Sequence, residues 1–275
     1  MHLIFHGDDL GLTQGVNQGI VRAYSKGLLG AASLIAPGEA FDHAVQSAFC
    51  HKGLDIGVHL TLTDEKPLLP GPGYFPGECM PSRQDLTMAL ATGRFDPEHA
   101  RRELCAQVEK VFDAGVKPSH LDSHQFVHLL PGVFPLCLDI QKKYKIPFMR
   151  TLVKEPMQKG AGLKRRLQWG MLNTWSMFYV KPRIPKNLPV IPCTGFLNAG
   201  GRMTVEAVLS SLKHFSSLKT LEIMLHPGIG DAYTAEKYAH WGYSWKNDMD
   251  LCTDPSLKEA LDQQGVRVGS FREFA

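Results

Sequence analysis

The chain has 275 residues, 44% hydrophobic and 21% charged, enough to bury a full core without disulfide or metal staples. A net charge of +3 and a pI of about 8.5 exclude the dense basic stripe of a nucleic-acid binder. Six scattered cysteines with no C-x-x-C pair, no basic-then-apolar leader and no run of about 18 apolar residues point to reduced thiols, a cytoplasmic location and no membrane-spanning helix.

Strand and helix patterns alternate along the chain. Residues 2–6 predict a strand and 16–26 a helix closed by Gly27; 31–36 predict a strand closed by Pro37-Gly38, and 41–50 a helix. A clearly alternating strand over 55–63 precedes a helix over 97–114, a strand over 119–124, a helix over 132–144 and a strand over 148–153. Further on come a strand at 190–193, a helix at 204–215, a strand at 220–225, a helix at 255–264 and a strand at 266–270. This rhythm predicts a mostly parallel α/β sheet covered by helices, as a barrel or an open doubly wound sheet. Two stretches interrupt it. Residues 64–96 are rich in Pro and Gly and read as a long loop; residues 160–189 hold RRLQWGMLNTWSMFYVKPR, a basic-flanked aromatic helix. That helix suits plain packing, a subunit contact, a lid or a membrane surface.

HGDDLG, residues 6–11, sets Asp8 beside Asp9 at the end of the first predicted strand. Neighbours on a strand face opposite ways, but where the chain turns out of the sheet both can border one site. In parallel α/β folds sites form at that end. Adjacent carboxylates repel, which a shared cation, or a split into ligand and base, relieves. Capping of the next helix by Asp9 is the plain alternative. DIGVHLTLT, residues 55–63, puts Ile56, Val58, Leu60 and Leu62 on one face and Asp55, Gly57, His59 and Thr61 on the other. Gly57 leaves room there for a ligand or another backbone. In SHLDSHQFVH, residues 119–128, His120, Asp122 and His124 share a face and His128 follows; Asp122 is placed to hold a ligating histidine from behind. EIMLHPG, residues 222–228, ends a strand at His226, a candidate acid or base. One Asp and two His supply three ligands for a divalent cation and leave positions for water and substrate. The remaining Asp and His then serve as base and acid.

HGDDLGLTQGVNQGI, GVHLTLT, HLDSHQFVH and EIMLHPG resemble the signature blocks of the YdjC-like carbohydrate deacetylases, a family that includes chitooligosaccharide deacetylases. The likeness runs from residue 2 to about residue 230. Two positions depart from the family pattern: Gly7 replaces a usual Ala, and Phe126 replaces a frequent His, while His124 at the usual ligand position is kept. The resemblance implies a distorted (β/α) barrel, TIM-barrel-like, with 1–275 as a single domain and the 64–96 and 160–189 segments over the site. It implies removal of an N-acetyl group from an acetylated amino sugar or oligosaccharide. By motif, Asp9, His59 and His124 would bind the metal, Asp8 would be the base and His226 the acid. Arg150, in PFMRT, would contact substrate or orient Asp8, and Asp122 and His128 would stand behind the ligands. Two His and a carboxylate suit zinc; magnesium, manganese and cobalt are alternatives. A phosphoester hydrolase is one rival and would want Arg or Lys near the strand ends. A non-catalytic sugar- or lipid-associated binder using 160–189 is the other. Tyr74, Phe75, Trp169 and Trp175 are candidates to stack on sugar rings, and a homodimer is the expected assembly.

Overall fold

A computed structural model describes residues 1–69, 78–155 and 162–274 of the protein. The sheet closes on itself. Seven strands form a ring in chain order: β1 (His2–Leu10), β2 (Leu29–Leu34), β3 (Asp55–Leu60), β4 (His120–Ser123), β5 (Phe148–Leu152), β6 (Val190–Thr194) and β7 (Thr220–Leu225), which returns to β1. Every pair is parallel, so each connection must cross over, and helices on the outside make most of those crossings. A two-residue strand, β8 (Arg267–Val268), pairs with His2 and Leu3 at the start of β1, below the point where β2 joins at Phe5. This is the barrel of the two architectures that the alternation allowed.

Strand alternation sorts the interior. Leu3 and Phe5 of β1 join the large core between barrel and helices. Ile4 belongs to a small second cluster with Ala31, Phe148, Ile191 and Phe271, which plugs the lower end of the barrel. Above that plug the same inward rows turn polar: His6 and Asp8, then His120 and Asp122, Arg150, and Glu222, all buried. A charged layer on an apolar floor is the frame on which the site is built.

The structure departs from the sequence pattern in four places. β1 runs on through Asp8 and Asp9 to Leu10, because it keeps pairing with β2 beyond the last apolar residue of the pattern. Residues 64–96 are not all loop: Arg83–Ala91 is a helix, with the Ser82 hydroxyl accepting the Asp85 N–H at its start. Only Leu86 and Ala89 of that helix are buried, so its apolar signal is faint. Helices Ala232–Lys237 and Trp245–Cys252 fill a stretch to which no element is assigned above. The last strand shrinks to two residues because the helix Phe271–Phe274 turns in beneath the barrel. All six cysteines are free.

Candidate functional site

The adjacent carboxylates are resolved by the backbone. Between Gly7 and Leu10, β1 advances three residues while β2 advances two, from Ala32 to Leu34. Such a bulge re-aims side chains at a strand end. Asp9 takes a left-handed conformation (φ +67°), which Asp tolerates better than most residues. Both carboxylates therefore face the site. Asp9 caps no helix: Thr13 does, its hydroxyl accepting the Val16 N–H at 3.2 Å. A left-handed pair, Gln125 and Phe126, turns the chain immediately after His124.

Asp9, His59 and His124 converge. Each offers one ligand atom, and these atoms lie within 4.8 Å of one another. His124 Nδ1–H donates to Asp9 Oδ1 at 2.9 Å, and His59 Nε2 stands 3.2 Å from the same oxygen without hydrogen-bond alignment. The other side of the His59 ring is fixed: its Nδ1–H donates to Asp122 Oδ1 at 2.8 Å, with Ser33 Oγ equally near. A carboxylate behind the ring is the arrangement that orients a ligating histidine. Asp9 Oδ2, His59 Nε2 and His124 Nε2 remain buried and without hydrogen-bond partners. Each such atom costs about 1–3 kcal/mol, which a bound cation would offset. Burial opposes ionisation of Asp9, yet His124 and His59 hold its carboxyl far below the usual range. For His59, burial pulls downward but the pairing with Asp122 prevails and lifts its pKa to about 10.

Two other groups have metal-ligand spacing, His6/His120/Asp122 and Asp8/His59/Asp122. Each has members whose atoms are already engaged. His6 Nε2 and His120 Nε2 share a hydrogen bond of 2.8 Å, and Asp8 is taken by Arg150. Of the three sets, Asp9/His59/His124 is the one in which every member has a buried atom without a hydrogen-bond partner. Charge points the same way, since Asp8, Asp122 and Glu222 are buried around one guanidinium and Asp9, buried beside them, is not paired with it.

That guanidinium belongs to Arg150. Its Nη1 and Nη2 donate to Asp8 Oδ2 and Oδ1 at 2.9 and 2.7 Å, and its Nε donates to Glu222 Oε1 at 2.8 Å. Burial raises the Asp8 pKa, but the Arg150 and His59 charges together with the hydrogen bonds from His6 and Arg150 outweigh it and hold the carboxyl well below its ordinary value. Glu222 goes the other way: burial dominates and pushes its pKa up, with Arg150 only partly offsetting it. Arg150 is buried and is not among the residues lining the cavity, so of its two expected roles the geometry matches orientation of Asp8, not substrate contact. His128 stands further back. Its ring joins Ser123 Oγ to the Arg150 carbonyl, and burial lowers its pKa to about 4. The space beside Gly57 serves neither ligand nor backbone: a Cβ there would lie 2.3 Å from the His120 ring, which stacks on Phe271. Phe126 packs edge-on against Phe196, with the Arg150 guanidinium 5.7 Å from its ring.

His226 follows β7 and lines the cavity together with Asp8 and His124. Its backbone N–H donates to Asp248 Oδ2 at 2.9 Å, and its Nδ1 lies 3.9 Å from that oxygen. Burial lowers the His226 pKa, against the pull of the Asp9 and Asp8 charges. Burial also lifts Asp248 to about 7. Sequence reasoning missed Asp248. The available signal was its place in a helical stripe, Trp245, Asp248, Met249 and Cys252, where it is the one carboxylate among apolar residues.

The cavity measures about 640 Å³ and is walled by Trp241, Tyr243 and Phe196. Of the proposed stacking aromatics, Tyr74 and Phe75 lie outside the described residues, and Trp169 and Trp175 do not line the cavity. Four cations do: Arg83, Lys164, Arg165 and Arg202. None forms an ion pair among the described residues. Burial lowers the pKa of Arg83 and of Arg165.

A family model described as YdjC-like protein matches residues 2–263. The chain belongs to this family. Among curated relatives, this YdjC-like chain is 30% identical to a carbohydrate deacetylase of Brevibacillus brevis, with 100% of each chain covered. It is 28% identical to a carbohydrate deacetylase of Geobacillus stearothermophilus, over 99% of this chain and 98% of the relative. A solved structure from Enterococcus faecalis V583, of a protein named as a candidate for cellobiose-phosphate cleavage, matches with a TM-score of 0.74 at 21% identity. That match covers 100% of this chain and 98% of the other, and it shows that the two share a fold.

Proposed function

We propose that this YdjC-like protein is a metal-dependent hydrolase that removes the N-acetyl group of an acetylated amino sugar or oligosaccharide. The observation that carries the reading is the trio of orphaned, buried donor atoms on Asp9, His59 and His124, with Asp8 and His226 beside them on the cavity wall. Full-length likeness to proteins named carbohydrate deacetylase supports the reaction and substrate class.

Asp9, His59 and His124 would hold one divalent cation, zinc or magnesium with manganese or cobalt as alternatives; when bound it supplies carbonyl polarisation and a more acidic water. The remaining chemistry belongs to side chains. Arg150 keeps Asp8 ionised and aimed, so its carboxylate is ready to accept a proton from the attacking water. A carboxylate paired in this way is a weak base and gives the proton up again readily. His226 serves the departing amine. Because burial lowers its pKa, the protonated ring is a stronger acid than free imidazole. Asp248 holds the backbone of His226 in place. Trp241 and Tyr243 offer flat apolar faces to a sugar ring and keep bulk water out. In this reading the chain acts as one domain, and Ser82, Arg83, Lys164 and Arg165 bring the 64–96 and 160–189 segments to the cleft.

The test is acetate release from a panel of N-acetylated mono- and oligosaccharides, with zinc, magnesium, manganese or cobalt supplied. Release from at least one sugar supports the reading, and none under any of the four cations refutes it. The four cations on the cavity wall, without an ion pair among the described residues, favour a second reading, in which the same centre hydrolyses an anionic phosphoester. Phosphate release from a chromogenic phosphoester without acetate release from any sugar would establish that instead.

A further inference from the structure

The helix Leu163–Trp175 continues through a π turn, Ser176–Val180, and a 3-10 turn, Lys181–Arg183. One side of it packs, burying Trp169, Leu172, Ser176 and Val180. The other side carries Leu163, Leu167, Met171, Trp175 and Phe178 at spacings of four, four, four and three, all exposed. Leu163 keeps 74% and Phe178 71% of its surface in water. With Met177, this segment holds six of the eleven exposed large hydrophobic side chains among the described residues, so it is a patch and not scatter.

Charge identifies what covers the patch. From Leu163 to Pro189 the sequence has six basic residues, Lys164, Arg165, Arg166, Lys181, Arg183 and Lys186, and no Asp or Glu. Five of the basic residues are exposed and flank the apolar stripe at both ends, while Arg165 turns inward to the Phe196 and Ala199 carbonyls. A two-fold contact with a second copy would bring two such cationic segments together, which like-charge repulsion opposes. An anionic bilayer meets both features, its headgroups neutralising the basic ends and its acyl boundary taking the stripe. No helix among the described residues is long and apolar enough to cross a membrane, so the segment would lie along the surface.

We propose that the face formed by Leu163, Leu167, Met171, Trp175 and Phe178 docks on a membrane surface bearing anionic lipid. Gly162, Lys164, Arg165 and Gln168, from the start of the same helix, line the cavity. Docking therefore sets the cavity mouth beside the headgroup layer. The inference is independent of the reaction assigned above, and its test needs no turnover.

The full chain is sedimented with vesicles of phosphatidylcholine alone and of an equal mixture with phosphatidylglycerol. Binding to the mixed vesicles is expected to exceed that to phosphatidylcholine at least roughly tenfold. It is expected to be lost in the Leu167→Glu/Phe178→Glu double variant. Absence of binding, or equal binding of wild type and variant to the mixed vesicles, overturns the proposal. So does a dimer in analytical ultracentrifugation that the double variant splits, because the patch is then covered by a second copy. Should the variant melt differently from wild type, quenching of wild-type tryptophan fluorescence by lipids brominated on the acyl chain decides instead. Quenching supports docking, and its absence overturns it.

Discussion

Replacing Arg150 with methionine isolates the contribution of one buried guanidinium. Arg150 is 1% exposed, and its nitrogens lie 2.5–2.9 Å from oxygens of Asp8, Asp122 and Glu222. Methionine fills much of the volume but leaves Asp8 and Glu222 without the guanidinium and Asp122 with His59 alone. Removing one partner of a buried ion pair costs about 3–5 kcal/mol. In a chain of this size each kcal/mol moves the melting temperature by about 2–4 °C, so a fall of roughly 6–20 °C is expected. Arg150→Lys keeps the charge but cannot grip Asp8 with two nitrogens while also holding Glu222, so it should fall between the two. Activity should drop further than stability alone explains, because Asp8 loses its aim. Urea unfolding and thermal melts of both variants measure the first effect, and acetate release measures the second. An Arg150→Met midpoint within about 1 kcal/mol of wild type would refute the reasoning, since it would mean the carboxyl layer needs no cation there.

Asp8→Asn should keep its divalent metal near one per chain, because Asp8 is not in the ligand set, and lose about 10²–10⁴-fold in turnover; comparable turnover removes Asp8 from the base role. Asp248→Asn should change the pH dependence of stability. Burial lifts the Asp248 pKa from 3.8 to about 7 in the folded chain. The stability linked to that proton is full below the unfolded value and is lost as pH rises through the folded one. The variant should therefore gain up to about 4 kcal/mol on wild type from about pH 4 to about pH 8. Urea midpoints across that range check it, and a flat difference contradicts it.

The parallel barrel was legible because helical and strand periods alternate cleanly, and both Phe41–Cys50 and Thr220–Leu225 keep the bounds that their pattern predicts. Boundaries blurred where pairing continued through polar residues, as in the last turn of β1, and where Pro and Gly hid the helix Arg83–Ala91. Asp8, Asp9, His59, His124 and His226 could be grouped because each lies at or near the carboxyl end of its strand and a barrel brings those ends to one place, while the choice of Asp9, His59 and His124 as ligands came from the family resemblance. Arg150 was visible as a residue but not in its direction, because nothing in PFMRT reports that three carboxyl groups from other strands surround it. Asp248 and the cations Arg83 and Arg202 come from helices and loops outside the strand rhythm. Their approach to the cavity is tertiary, without a periodic trace.

The most direct test is elemental analysis of wild type and His124→Ala, each purified without chelator and then incubated with zinc, magnesium or manganese. The account predicts close to one divalent ion per wild-type chain, lost in the variant while its melting curve stays cooperative. Wild type that remains metal-free in all three, or His124→Ala that retains the ion, would contradict it.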